Sequence, residues 1–278
     1  MKKIFLHLAI YSSLLALLTG CGAKYTFNRA KTLEKKGFYV QAIEKYKKVS
    51  SKYPNSTLAP EALYNAGNIY QTELKIYNEG LNTYLELIKN YPDSNPWIKL
   101  AKMGVFNSPN YFPLAEGYSW NEGDSVSVGK NMNVEWYCQE ISTGMYKLTK
   151  KYFAGRNLVT TVVRYLNIDN FELIESKTPD FKDKTILLKY PFNPGNSWET
   201  EQDGRKLRFT ITDNQASVKV DAGVFDNCLK VQQEDLNLRG SYKYIYYAKN
   251  VGFVLMSVGT TNAEHRNSEL LSYSFKAQ

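Results

Sequence analysis

Two different periods of hydrophobic residues divide the chain. Between residues 24 and 106, apolar side chains recur every three or four positions, which is the period of an amphipathic helix. This pattern predicts helices near 24–36, 39–52, 58–73 and 77–90, with a shorter helix near 96–104. After Ser108-Pro109-Asn110, short runs of alternating apolar and polar residues recur between turn signals, which predicts ten to twelve strands in hairpin order. We therefore expect an α+β chain with a helical domain at 21–108 and, at 109–278, a strongly curved antiparallel sheet or half-barrel.

The helical domain contains one pattern twice. Ala42, Tyr46, Val49 and Pro54 in the first copy have the same spacing as four residues of the second: Gly80, Tyr84, Leu87 and Pro92. Each copy ends in Tyr-Pro-Asn-Ser or Tyr-Pro-Asp-Ser, and proline ends a helix because it has no N–H to donate. Ahead of the second copy, four residues fit the W-x2-L-G-x2-Y signature of a tetratricopeptide helix: Leu63, Ala66, Gly67 and Tyr70. The alternative is an ordinary amphipathic helical bundle.

These motifs resemble the tetratricopeptide repeats of outer-membrane assembly lipoproteins, those of the β-barrel assembly and Tol-Pal systems. The resemblance implies a scaffold that binds other envelope proteins and carries no chemistry. Polar residues on the first helix of each repeat would line the open side of such a scaffold: Asn28, Asn65 and Asn68. Two repeats are fewer than the usual three. We therefore expect the short helix with Trp97, Ile98, Leu100 and Met103 to cover the exposed end.

The N-terminus has the pattern of an export signal. Two lysines precede an apolar run from Ile4 to Leu18, which is short for a membrane span but typical of a signal peptide. The run ends in Leu18-Thr19-Gly20-Cys21, which resembles the lipobox of bacterial lipoproteins. The resemblance implies removal of residues 1–20 and a lipid, palmitate included, on Cys21. An ordinary signal peptide and a spanning anchor are the alternatives. Gly22 in place of aspartate implies sorting to the outer membrane, facing the periplasm, or the cell membrane of a host with one membrane.

Basic residues concentrate beside the predicted lipid. Residues 21–52 carry nine Lys or Arg and two Glu, whereas the whole chain has a net charge of +8. A basic surface near anionic head groups is a second membrane signal, and a simple solvated face is the alternative. An exported protein is separated from cytoplasmic nucleic acid, so we expect no nucleic-acid partner.

The β domain shows no motif for catalysis. Its short sequence motifs, such as Pro194-Gly195-Asn196-Ser197-Trp198, resemble those of a family of secreted bacterial β domains without an assigned activity. The mature chain has one histidine, His265, in a polar run that predicts a hairpin tip, so we expect no catalytic residue, no metal site and no cofactor.

Cys138 and Cys228 could form a disulfide in an oxidising compartment or remain buried thiols. Two other functions stay open: a carrier that binds a lipid or apolar ligand in the β domain, and a glycan-binding module that stacks sugars on Trp120, Trp136 and Trp198.

Overall fold

The chain folds into two compact units, and the boundary between them along the sequence lies between Ser108 and Pro109. The computed structural model describes residues 21–238 and 240–275, so the predicted signal peptide at 1–20 lies outside the described residues. The first unit is helical and the second is a single antiparallel sheet. Their order along the chain is the predicted one, and the α+β class with a curved sheet is confirmed.

The helical unit consists of two helical hairpins and a last helix. The helices are α1 (residues 21–35), α2 (Tyr39–Lys52), α3 (Ala59–Asn68), α4 (Tyr77–Asn90) and α5 (Trp97–Phe106). A π-helical turn, Ile69–Glu73, continues α3, where Leu74 N–H bonds the carbonyl of Ile69. The second repeat is one residue longer than the first between its small residues (Gly67 to Gly80 against Ala30 to Ala42). We expected that residue in the turn before Gly80, but a π turn accommodates it inside the helix.

A tyrosine fills the groove between neighbouring helices in each repeat. The rings of Tyr46 and Tyr84 are fully buried at equivalent positions. Tyr84 lies between two glycines, because a Cβ on Gly67 would stand 2.7 Å from its Cε1 and a Cβ on Gly104 would stand 2.7 Å from its Cδ2. Its hydroxyl bonds Gln71 Oε1 at 3.1 Å. The missing Cβ atoms are therefore what allows α3, α4 and α5 to pack around one aromatic ring.

Helix α5 packs against α3 and α4, most deeply through residues other than those we expected. Its buried residues are Ala101, Gly104, Val105 and Phe106. The expected sealing residues, Trp97, Ile98, Leu100 and Met103, are only half-buried, and Trp97 contacts Tyr64 with a ring-centre separation of 5.5 Å. Trp97 does contact the second repeat, but the deepest packing is made by the smaller residues one and two turns further along α5, because the close approach to Tyr84 requires small side chains there. No helix in the described part of the chain is long and apolar enough to cross a membrane.

The β unit is one twelve-stranded antiparallel sheet in the order β6-β5-β4-β3-β2-β1-β12-β11-β10-β9-β8-β7. The first six strands are β1 (Ser119–Asp124), β2 (Met132–Ser142), β3 (Met145–Ala154), β4 (Asn157–Asp169), β5 (Glu172–Ser176) and β6 (Thr185–Lys189). The other six are β7 (Ser197–Gln202), β8 (Arg205–Val220), β9 (Gly223–Asp235), β10 (Tyr242–Ala248), β11 (Gly252–Gly259) and β12 (Glu264–Ser274). Strands that follow each other in sequence are neighbours, as hairpin order requires.

The sheet curls until its edge strands, β6 and β7, meet. Side chains make the junction: Thr185 Oγ1 donates to the Glu201 carbonyl at 2.9 Å, and Thr200 Oγ1 accepts from Ile186 N–H at 3.1 Å. The Trp198 indole N–H donates to the carbonyl of Ile186 at 3.0 Å. The result is a nearly closed barrel, joined at one seam by side chains in place of a strand ladder.

Strand β8 departs most from the sequence-based expectation. Two alternating runs in the sequence, Leu207–Thr212 and Ser217–Val220, each predict a strand, but both belong to one strand of 16 residues. Register shifts between Ile211 and Val218 mark bulges, which bend strands. The turn that follows β8 reaches β12, where Ala222 N–H bonds the Leu270 carbonyl at 3.1 Å. His265 is also corrected, since it lies on β12 opposite Val258 and is exposed, whereas the hairpin tip is only 260–263.

Candidate functional site

The three asparagines predicted to line the helical scaffold have different surroundings. Asn28 is exposed on α1, and Asn68 is half-buried at the end of α3. Asn65 is half-buried and interacts with the hydroxyl of Tyr46. That hydroxyl donates to Glu34 Oε2 at 2.6 Å. Asn65 therefore belongs to a polar cluster inside the repeat, and Asn28 and Asn68 remain as the accessible members of the predicted set.

A concavity of about 720 Å³ lies elsewhere on the helical unit, between the loops that end the two repeats. Residues from Pro54 to Thr57 form one side, and residues from Asn90 to Ser94 form the other. Its lining is rich in hydroxyl and amide groups and includes two carboxylates, on Glu86 and Asp93. None of the three predicted asparagines lines it. The repeated Tyr-Pro-Asn/Asp-Ser sequence was the available signal, and we had assigned it only to helix ends.

The start of α1 lies beside the end of α2. Cys21 is exposed, and a Cβ on Gly22 would stand 2.5 Å from the Tyr53 hydroxyl oxygen. The close packing of α1 on Tyr53 therefore favours glycine at position 22, independently of any sorting signal at that position. The contact also brings Lys48 and Lys52, both exposed and near the end of α2, to the same end of the unit as Cys21.

The β unit encloses a cavity of about 430 Å³ that is aromatic on one side. Phe112, Trp136, Tyr247 and Phe253 line it. Trp136 stacks on Phe253 with ring centres 5.7 Å apart, and Phe112 lies 6.0 Å from Tyr247 by the same measure. These rings belong to a continuous cluster that includes Trp120. The cluster fills the barrel interior on this side, so the cavity has an apolar wall.

Charged side chains also face the cavity. Lys150 is half-buried and holds its Nζ 3.8 Å from the centre of the Trp136 ring, a cation–π contact. Glu122 accepts a hydrogen bond from Ser268. Burial raises the pKa of the Glu122 carboxyl above its ordinary value, against the opposing effects of Ser268 and of the Lys150 charge. The Trp136 N–H is directed towards Glu122 without reaching hydrogen-bond geometry.

A second space of about 420 Å³ lies beside the cavity at one end of the barrel. Arg164, Glu175 and Gln202 line both spaces. Arg164 Nε lies 3.8 Å from Glu175 Oε2, which makes a loose ion pair at the junction. The outer space is bounded by the β5–β6 loop and the β7–β8 turn. The aromatic cavity therefore has a polar end at Arg164, Glu175 and Gln202, and we call this end its entrance.

The candidate stacking tryptophans are core residues. Trp120, Trp136 and Trp198 are 4%, 8% and 5% exposed. Trp198 stacks on Phe209 with an interplanar angle of 4°, and Trp136 lies between Phe253 and the Lys150 ammonium group. The exposed row of rings that sugar stacking would need is therefore not formed by these three residues.

The two cysteines of the β unit are buried free thiols. Cys138 is on β2 and Cys228 on β9, and four strands separate these two in the sheet. The sequence had allowed a disulfide between them, but the structure does not place them on paired strands. Burial raises the pKa of Cys138 to about 12 and that of Cys228 to about 11. Both thiols therefore stay protonated at neutral pH.

Clusters of three or more His, Cys, Asp or Glu side chains that could hold a metal ion are not found among residues 21–238 and 240–275. Two carboxylates on the strands of the β unit are bonded to neighbouring side chains. Glu199 accepts from Arg208 at 2.7 Å, and Glu135 accepts from the Tyr137 hydroxyl at 2.8 Å.

Comparison with known proteins gives one sequence match and several distant structural ones. The profile of the tetratricopeptide repeat matches residues 61–94. No curated protein sequence matches the chain. A proposed lipoprotein from Parabacteroides distasonis ATCC 8503 is 16% identical with a TM-score of 0.39, and the match covers 59% of this chain and 98% of that one. A proposed exported protein with a YmcC-like fold from Bacteroides fragilis NCTC 9343 is 16% identical with a TM-score of 0.40 and the same coverage. A β-barrel-like protein from Brucella abortus is 12% identical with a TM-score of 0.30, and the match covers 52% of this chain and 74% of that one. The chain thus contains a tetratricopeptide repeat at residues 61–94, followed by a curved antiparallel β unit.

Proposed function

We propose that this chain is a lipid-anchored protein of the bacterial envelope whose helical unit binds protein partners, in a role such as outer-membrane or envelope assembly. The observation that carries the proposal is the repeat itself. Tetratricopeptide repeats are interaction scaffolds, and residues 61–94 match one and pack as one, with Tyr84 held between Gly67 and Gly104. The binding surface runs over α1 and α3 past Asn28 and Asn68, where Lys31 bonds Glu61 across the two helices at 3.2 Å.

The lipid would be attached to Cys21, with the protein facing the periplasm from the outer membrane. The support is the Leu18-Thr19-Gly20-Cys21 sequence, together with the exposure of Cys21 at the start of the described chain. Lys48 and Lys52 lie at the same end of the unit and would face anionic head groups, each contributing roughly 1 kcal/mol. The reversal Lys48→Glu with Lys52→Glu should weaken binding to vesicles containing phosphatidylglycerol. Reversal of Lys35 and Lys36, at the opposite end of α1, is the matched control and should have less effect. Equal effects of the two pairs would contradict this orientation.

Site-specific photocrosslinking in cells tests the protein-binding proposal. A photoreactive amino acid replaces Asn28 or Asn68 on the proposed surface, or Asn55 in the concavity between the repeat loops. The control position is Thr161, an exposed residue of β4. We expect one partner band from positions 28 and 68 and none from 161. A band from position 55 alone would move the binding surface to the loop concavity. Crosslinks from position 161 only would overturn the assignment to the helical unit.

The glycan-binding alternative loses its support, because the three tryptophans it relied on are covered. The carrier alternative gains a specific observation in the cavity of the β unit, and that cavity is a separate site with separate chemistry.

A further inference from the structure

We infer that the cavity of the β unit is a binding site for an anionic amphiphile, a molecule with one carboxylate or phosphate head group and an apolar tail. The cavity volume of about 430 Å³ falls in the range of roughly 300–1,000 Å³ found for small-molecule sites. A curled sheet of this size could have filled its interior with side chains. Here part of the interior is left open, and Arg164, Glu175 and Gln202 line both this cavity and the polar outer space beside it.

The apolar half of the site is the aromatic wall and the aliphatic residues beside it. Val134, Leu148 and Ile245 extend the surface formed by Trp136 and Phe253. The faces of Trp136 are already covered by Phe253 and Lys150, so the ring is not free to stack on a sugar. A flexible tail needs no free ring face, because it gains free energy by removing apolar surface from water. The wall therefore suits an acyl chain better than a sugar ring.

The charged half of the site has an excess of cations. Lys150, Arg164 and Lys243 line the cavity with two carboxylates, Glu122 and Glu175. Glu175 is engaged by Arg164. Neither Lys150 nor Lys243 makes a direct ion pair with any other described residue, although the Lys150 charge acts on the buried carboxyl of Glu122, which accepts a hydrogen bond from Ser268. A half-buried ammonium group without a direct ion pair is costly, so an anion bound beside Lys150 is favoured.

The position of Lys150 sets the polarity of the bound molecule. Lys150 is paired across the sheet with Trp136 and lies between the aromatic wall and the entrance residue Arg164, which is on the next strand. A head group at Lys150 and Arg164 leaves the tail to extend along Leu148 and Phe253. The same opening that admits the ligand therefore keeps its charged end close to water.

Fluorescence binding tests the site on the full chain carrying Cys21→Ala, so that no attached lipid competes. The probe is a dansylated undecanoic acid, used below its micellar concentration. Competitors are decanoate, methyl decanoate, a decanoyl lysophosphatidic acid and glucuronate. We expect displacement by decanoate or by the lysophosphatidic acid, and the stronger of the two identifies the head group as carboxylate or phosphate. Methyl decanoate should compete at least tenfold more weakly, and glucuronate should not compete.

Adjacent lysines on β3 supply the matched variants. Lys150→Met should weaken probe binding at least tenfold, whereas Lys151→Met should leave it within twofold. Lys151 lies over the Tyr137 ring at 5.2 Å and so makes the same kind of contact on the other face of the sheet. Lys150→Arg keeps the charge and should bind within about threefold of the parent, which excludes a folding defect as the cause. Absence of saturable probe binding, equal losses in the two Met variants, or equal competition by acid and ester would overturn the inference. These results are independent of crosslinking on the helical unit.

Discussion

The substitution Gly104→Ala tests how the helical unit is held together. Alanine is the better helix former by about 0.8–1.0 kcal/mol, so propensity alone predicts a gain in stability. The structure predicts the reverse, because the new Cβ would stand 2.7 Å from Tyr84 Cδ2. The Tyr84 ring has no room to move away, because its opposite edge lies against Gly67. A Cβ added to Gly67 would stand 2.7 Å from Tyr84 Cε1. Overpacking of this kind costs about 1–3 kcal/mol. After the propensity gain is subtracted, we expect the free energy of unfolding of the helical unit to fall by up to about 2 kcal/mol.

Urea unfolding followed by circular dichroism at 222 nm measures the change, because the helical unit dominates that signal. The control is the same substitution in a Tyr84→Leu background, where the smaller side chain leaves space for the Cβ. There Gly104→Ala should be neutral or stabilising. If Gly104→Ala stabilised the parent protein, the tight packing of α5 on Tyr84 would be refuted.

Three further predictions concern the β unit. Thr185→Val removes the hydroxyl that donates to the Glu201 carbonyl at the barrel seam. The free energy of unfolding, measured by urea unfolding with near-ultraviolet circular dichroism, should fall by about 1 kcal/mol. If it did not fall, this seam hydrogen bond would contribute nothing to stability. Burial raises the pKa of Glu122 above its unfolded value of 4.5, so the stability linked to this group is complete below that pH and is lost as the pH rises. Glu122→Gln should therefore unfold at higher urea than the parent at pH 7, with the gap closing below pH 4.5; a gap independent of pH would contradict the assignment. In unreduced protein, Cys138 and Cys228 should react with iodoacetamide only after the protein is unfolded. A disulfide-linked peptide pair found by mass spectrometry without reduction would contradict the free thiols.

The helical unit was largely predictable because its signals are local. Small residues and tyrosines at fixed spacings set the helix boundaries to within a few residues, and Pro54 and Pro92 marked the repeat ends. The π turn at Ile69–Glu73 was not predictable, since one extra residue can be absorbed in a helix or in a turn at similar cost. The most deeply buried positions of α5 were missed because hydrophobicity favoured Trp97 and Ile98, whereas the size of Tyr84 selects small residues such as Gly104.

The β unit was predictable in class but not in its interior. Alternation predicted ten to twelve strands in hairpin order, and the sheet has twelve in that order within the described residues. The cavity depends on residues far apart in sequence, such as Lys150 and Ser268, which line the same space only because of the strand order of the sheet. Lys150 could not be identified from the sequence as a residue of the cavity, because a lysine in an alternating strand normally faces solvent. Here it lies on the inner face, paired with Trp136.

Mass spectrometry of the N-terminal peptide tests the central claim of a lipid-anchored envelope protein most directly. The protein is purified from the membrane fraction of cells that express the full sequence, and the peptide ending at Lys24 is isolated after trypsin digestion. We predict that this peptide begins at Cys21 and carries the mass of a thioether-linked diacylglycerol, and that Cys21→Ala abolishes both the modification and the membrane association. A peptide that begins at another residue, or an unmodified Cys21 in membrane-bound protein, would contradict the account.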